Sequence, residues 1–234
     1  MELSKTRERC YLCGKPLQSY RLRAGERPPS DLRTRDHVPP EGLFLPPKPS
    51  DLFVVPCCFG CNNQHSGFDE RLRIAATMPF DRNQTGQRIL EDKVLGGTLA
   101  KGRQMLFMQK LLAGMKDTAE HRDLLRVRME AREFHSGMIR ITKGLLFCLY
   151  PGFNYEKAHF EVIDIRPKPF DEQLRLMTML KQAAYFERGQ RAFQCWRHVE
   201  EARGAGAWML IFYECFGFFV WHTNDEAALG SAKA

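Results

Sequence analysis

The sequence predicts an α+β fold: a small metal-stapled unit, then a helical segment, then an antiparallel sheet. Three observations predict it. The stretch up to Arg73 holds five of the eight cysteines and most of the thirteen prolines, with few long apolar runs, so it needs a staple rather than a large core. From Thr85 to about Tyr150 the apolar residues recur with helical spacing. Beyond Pro151-Gly152 the period shortens to two, the signature of half-buried strands. The organisation expected is therefore residues 1–78 as one domain, 79–225 as a second, and 226–234 as a loose tail.

Each element follows from local pattern. Leu99 to Met115 carries Leu99, Met105, Leu106, Met108, Leu111, Leu112 and Met115 along one stripe. Asp117 is placed as an N-cap with Glu120 three residues on, the capping-box spacing, for a helix carrying Arg122, Arg126, Arg128 and Arg132 on its polar sides. Ser136 to Tyr150 reads as a third helix, stopped by Pro151. Phe160–Arg166 and Ala192–Glu200 alternate as strands, with a short helix between them over Asp171–Phe186. The apolar run Trp208–Trp221 reads as two more strands meeting around Glu214–Gly217. It is too short for the roughly 20 residues a spanning helix needs, and Glu214 interrupts it. Trp196, Trp208 and Trp221 are expected in the core.

The net charge is +7, which favours a polyanionic partner such as nucleic acid. Met1 to Arg9 has no apolar core of the secretory kind. The expectation is a cytoplasmic protein with no membrane partner, in a compartment where clustered cysteines hold metal rather than form disulfides.

Two C-x-x-C turns, Cys10/Cys13 and Cys58/Cys61, lie about forty-five residues apart. Each turn bends two sulfurs towards one point, so four thiolates can surround a structural Zn²⁺ tetrahedrally. Cys57 leaves the register of the second pair open. Cys148, Cys195 and Cys215 stand alone in apolar surroundings and read as buried hydrophobes. A closed four-thiolate zinc has no open position for chemistry.

Between and just after these pairs lie "RDHVPP", "SDLFVVPCC" and "CNNQHSGFDE". The C-x-x-C-G turn, the Asp-His pair followed by x-Pro, the polar residue before "LFVVPCC" and C-x-x-C-Asn together resemble the zinc-stapled branch of the HNH endonucleases. The resemblance covers Arg9 to Arg73. It implies a ββα-metal domain that hydrolyses phosphodiester bonds in nucleic acid, DNA rather than RNA, leaving a 5′-phosphate and a 3′-hydroxyl. It suggests bacterial restriction or anti-phage defence.

In that resemblance His37 is the general base, a role suited to an imidazole near neutrality. Asp36 and Asn62 are ligands of a catalytic divalent ion, Mg²⁺ or Mn²⁺, as their hard oxygens suit. His65 shares a helical face with Asn62 and is a further candidate ligand. Asp51 stands where the family carries the Asn that braces the loop bearing the His; it can accept hydrogen bonds there but not donate them. Asp69 and Glu70 read as exposed helix charges. Lys15, Arg21, Arg23, Arg27, Arg33 and Arg35 form a basic run beside this centre and are expected to contact the phosphate backbone.

Pro39 and Pro40 remove two consecutive backbone donors, so the ladder is expected to end irregularly just past His37, letting Asp36 and His37 approach one phosphate. Nothing in the sequence reads bases, which leaves targeting to the C-terminal region, an activating protein partner or self-association. The rival reading is a non-catalytic zinc-knuckle module that binds nucleic acid or protein.

Overall fold

The computed structural model describes residues 8–79, 81–99, 101–102, 105–106, 109, 131–165, 170–180 and 183–225. The expected helices over Leu99–Met115 and from Asp117, with their arginines Arg122, Arg126 and Arg128, lie largely or wholly outside them, as does the tail.

The N-terminal unit is a hairpin and a helix. Strand β1 (Arg33–Val38) pairs antiparallel with β2 (Phe53–Cys58), and α1 (Phe59–Thr77) follows β2 without a linker. The first amides of α1 are met by the chain just before β1: Phe59 N–H donates to Leu32 O and Gly60 N–H to Ser30 O, both at 2.8 Å. This satisfies groups that a helix start otherwise leaves open and pins α1 across the hairpin. The ladder stays regular through His37↔Val54 and Val38↔Phe53. The irregular exit thus begins one residue later than expected, because the proline donors are missing only after Val38. A 3₁₀ turn over Glu41–Leu43 follows.

Helix α2 (Gln84–Ile89) runs into a wider π-wound stretch, Leu90–Leu99. Helix α3 (Ala131–Leu149) carries the predicted third helix. The rest is a five-stranded antiparallel sheet of β3 (His159–Asp164), β4 (Ala184–Arg188), β5 (Phe193–Glu200), β6 (Ala205–Phe212) and β7 (Phe216–Thr223), in the order β3-β7-β6-β5-β4. The α+β class and the C-terminal antiparallel sheet are as the sequence predicts. One boundary is corrected. Helix α4 spans only Phe170–Met179, and Ala184–Arg188, expected to continue it, is an edge strand on β5. Its Tyr185 packs on Trp196 with ring centroids 4.6 Å apart, a cross-strand gain that outweighs the helical pattern of so short a segment. Trp208 is fully buried, while Trp196 and Trp221 are half-buried.

Helix α3 sits between the two units, against α1, β1 and β2 on one side and β3 and β7 on the other. Phe134, Met138, Ile141 and Leu145 form its buried stripe, at i, i+4, i+7 and i+11. One apolar core runs without a break from Cys10, Tyr11 and Val38 through Phe68 and Phe134 to Phe216, Phe218 and Val220. No described helix is long and apolar enough to cross a membrane.

Two glycines let α3 approach closely. A Cβ on Gly137 would lie 1.8 Å from the Phe68 ring of α1, and one on Gly144 would lie 2.5 Å from a Val38 methyl of β1. Overpacking a core costs about 1–3 kcal/mol, whereas alanine gains at most about 1 kcal/mol over glycine in a helix. Gly137→Ala is therefore expected to lower the melting temperature by several degrees. Gly152→Ala, where no atom lies within 4 Å of the added Cβ, should leave it nearly unchanged; thermal denaturation of both variants checks the pair.

Candidate functional site

The four-cysteine cluster forms where the spacing placed it. The Sγ atoms of Cys10, Cys13, Cys58 and Cys61 lie within 4.8 Å of one another. Cys13 and Cys58 sulfurs are 3.9 Å apart, close to the edge of about 3.8 Å that a tetrahedron with 2.3 Å metal–sulfur bonds requires. The turn at Cys10–Cys13 is made by Gly14, whose φ of +67° suits glycine, and its N–H donates to Cys10 O at 2.9 Å. The Cys58 sulfur also accepts from Cys61 N–H at the start of α1. The register left open by Cys57 resolves in favour of Cys58. Cys57 is fully buried behind the cluster, 3.9 Å from the Cys10 sulfur, and its thiol hydrogen-bonding to Cys10 lowers the Cys10 pKa to about 4. Among the described residues this is the one cluster of His, Cys, Asp or Glu tight enough to hold a metal.

Asp36 and His37 point to opposite faces of the hairpin. The alternation of β1 buries Asp36 and Val38 and half-buries Thr34 on one face, while on the other Arg33 and Arg35 are exposed and His37 is half-buried. Asp36, only 4% exposed, is saturated with donors. Its Oδ2 accepts from the Tyr11 hydroxyl at 2.6 Å and Arg140 Nε at 3.1 Å, and its Oδ1 accepts from an Arg140 terminal nitrogen at 2.7 Å. Arg140 comes from α3, between Gly137 and Gly144 on the same helical face. Its other edge reaches Asp69 of α1 at 2.5 and 3.2 Å.

One guanidinium therefore bridges two carboxylates at the junction of β1, α1 and α3. Burial alone would lower the Arg140 pKa, but hydrogen bonds and charge from Asp36 and Asp69 raise it above its ordinary value. Burial pushes the Asp69 carboxyl up, against the pull of Arg140. Asp69 is thus no exposed helix charge but the second arm of this clamp.

His65 is half-buried one turn before Asp69. Burial first and Arg140 second lower its pKa, while Asp36 opposes them. Asn62, one turn earlier, donates its amide to Thr34 Oγ1 at 3.3 Å and more loosely to Arg35 O at 3.4 Å, fastening α1 to β1. Asp51 is exposed and paired with Arg188 of β4, at 3.0 Å to its carboxylate and 3.2 Å to its carbonyl. It ties its loop to the C-terminal sheet.

A catalytic divalent ion on Asp36, Asn62 and His65 does not fit this arrangement. Both Asp36 oxygens are spent on Tyr11 and Arg140, and a full positive charge already stands between the carboxylates. The structure brings Asp36, Asp69 and Arg140 together and leaves His37 outside that group. His37 shares the outer face of β1 with Arg33 and Arg35, and its Nδ1 lies 3.8 Å from Glu41 Oε2. A salt bridge from Lys48, and to a lesser degree His37, lowers the Glu41 pKa. Lys15, Arg21, Arg23, Arg33 and Arg35 are all exposed.

Sequence reasoning missed Arg140 and the role of Asp69. The available signal was an arginine on the apolar side of a helix, flanked by glycines at i−3 and i+4. Arg140→Met would leave the buried Asp36 with only the Tyr11 hydroxyl and the half-buried Asp69 without its cation. Breaking a fully buried ion pair costs about 3–5 kcal/mol, an upper bound here. Urea unfolding should show that loss at pH 7. Adding Asp36→Asn and Asp69→Asn to it should recover a substantial part, because the uncompensated charges then go.

No known protein family, curated protein or solved structure matches the chain.

Proposed function

We propose that the chain is a zinc-stapled endonuclease of the HNH type, acting on DNA, held in a closed state by Arg140. The observation that supports this reading is the joint placement of β1, β2 and α1 around the four-cysteine cluster, with His37 near the end of β1 on an arginine-lined face. Zn²⁺ is the ion that four thiolates at this spacing suit best, and its part is structural.

The chemistry assigned to the chain's own residues is narrow. Arg33 and Arg35 hold backbone phosphates beside His37. His37 takes a proton through Nε2 from the water that attacks phosphorus, and Glu41, beside Nδ1, favours the tautomer that leaves Nε2 free to accept. The bond from phosphorus to the 3′-oxygen breaks, leaving a 5′-phosphate and a 3′-hydroxyl protonated from solvent. Asp36 and Asp69 take no part while Arg140 occupies them.

That clamp favours a second reading, a nucleic-acid-binding module without hydrolysis. A plasmid-nicking assay in Mg²⁺ or Mn²⁺ separates the two. Under the nuclease reading the wild type nicks slowly, Arg140→Gln nicks at least roughly tenfold faster, and adding His37→Ala to Arg140→Gln abolishes the gain, as loss of a general base costs about 10²–10⁴-fold. If neither wild type nor Arg140→Gln cuts a plasmid that both bind, the binding module is correct. Zinc content and circular dichroism confirm that each variant is folded.

A further inference from the structure

Beside the four-cysteine cluster a groove of about 990 Å³ opens between the hairpin, the end of α3 and the loop after it. Arg9, Arg33 and Arg35 line it, all exposed, against one carboxylate, Glu156. Its wall is aromatic. Tyr11, Phe147 and Tyr155 form an edge-to-face series, with ring centroids 6.4 Å apart at both steps and interplanar angles of 61° and 71°. Tyr11 is buried, while Phe147 and Tyr155 are half-buried.

We propose that this groove holds a single strand of nucleic acid, its bases against Phe147 and Tyr155 and its phosphates on the three arginines. The inference rests on the nucleic-acid reading above and names the form of substrate. Three guanidiniums to one carboxylate suit a polyanion, and an aromatic wall suits bases that are out of a duplex, because stacking needs only a π-face and tolerates any sequence. A paired base presents only its edge and leaves that wall unused. The volume is at the upper end of the range for enclosed ligand sites, enough for one or two nucleotides but not for a double helix.

The groove also leads to His37. Val54 lines it and is the direct cross-strand partner of His37, and such partners have Cβ atoms about 5 Å apart. Arg35 is two residues from His37 on the same face, about 7 Å along the strand. A strand seated in the groove therefore passes the imidazole.

The test is fluorescence anisotropy with the zinc-loaded full chain, a labelled oligothymidylate and a blunt duplex of equal length, over a range of salt. The single strand is expected to bind at least fivefold more tightly than the duplex. Tyr155→Ala should weaken the strand roughly tenfold with little change in salt dependence, Tyr155→Trp should restore it, and Arg35→Ala should reduce the salt slope by about 1.

Equal or tighter binding of the duplex, with Tyr155→Ala unchanged, overturns the groove while leaving a nucleic-acid function intact. Failure to bind either oligonucleotide overturns both the groove and the reading it rests on. Tyr155 packs at the surface of the core rather than within it, and unchanged melting of its variants separates lost contact from lost fold.

Discussion

The Arg140 guanidinium, held between Asp36 and Asp69, is the interaction on which the arrangement of this molecule turns. It joins a strand, a helix and a second helix from distant parts of the chain at one point, with Arg140 and Asp36 almost out of contact with solvent and Asp69 half-buried. Removing the Asp36 carboxylate and the Arg140 guanidinium from water costs several kcal/mol per ion. Here the recovery comes from four charge-assisted contacts and from Tyr11, which gives Asp36 a third hydrogen bond. Gly137 and Gly144 are the condition for it, since a bulkier residue at the first would hold α3 off α1 and one at the second would hold it off the hairpin, leaving the guanidinium short of its partners. The bridge gives the hairpin and α1 a defined seat on α3, which in turn packs against β3 and β7. It also decides what the acidic pair can bind.

The four-cysteine cluster sets the other half of the geometry. By fixing Cys10–Cys13 against Cys58–Cys61 it places Tyr11 beneath the hairpin, where it reaches both Asp36 and the aromatic wall of the groove. Disrupting the cluster would therefore disturb the buried clamp and the exposed groove together. The two faces of β1 follow from strand alternation alone. One face is spent on structure, through Asp36, and the other presents His37 between arginines and Glu41.

Much of this was legible in the sequence, for identifiable reasons. C-x-x-C turns are local, so their spacing announces the cluster without knowledge of the fold. Strand β5 alternates in its second half, and β6 and β7 are almost continuously apolar and buried over eight residues each, so a fully covered strand pair stands out as an apolar run. Strand β4 carries a helical pattern in the sequence because Ala184–Arg188 is short and gains its stability from Trp196 on a neighbouring strand. Asp36 and His37 were expected to converge because the prolines suggested an early break in the ladder. The Val38 pair keeps them in register and therefore on opposite faces. The acid–arginine bridge spans more than a hundred residues of chain, and no local pattern carries such a pairing. Only the oddity of an arginine among glycines on an apolar helix face pointed to it.

A protein cation, the Arg140 guanidinium, already fills the place between Asp36 and Asp69. Titrating Mn²⁺ into the folded chain, followed by electron paramagnetic resonance of the free ion, tests it most directly. The account predicts no stoichiometric Mn²⁺ site in the wild type at sub-millimolar concentrations, and one site in Arg140→Gln that Asp36→Asn removes. Tight binding of one Mn²⁺ by the wild type, abolished by Asp36→Asn, would contradict it.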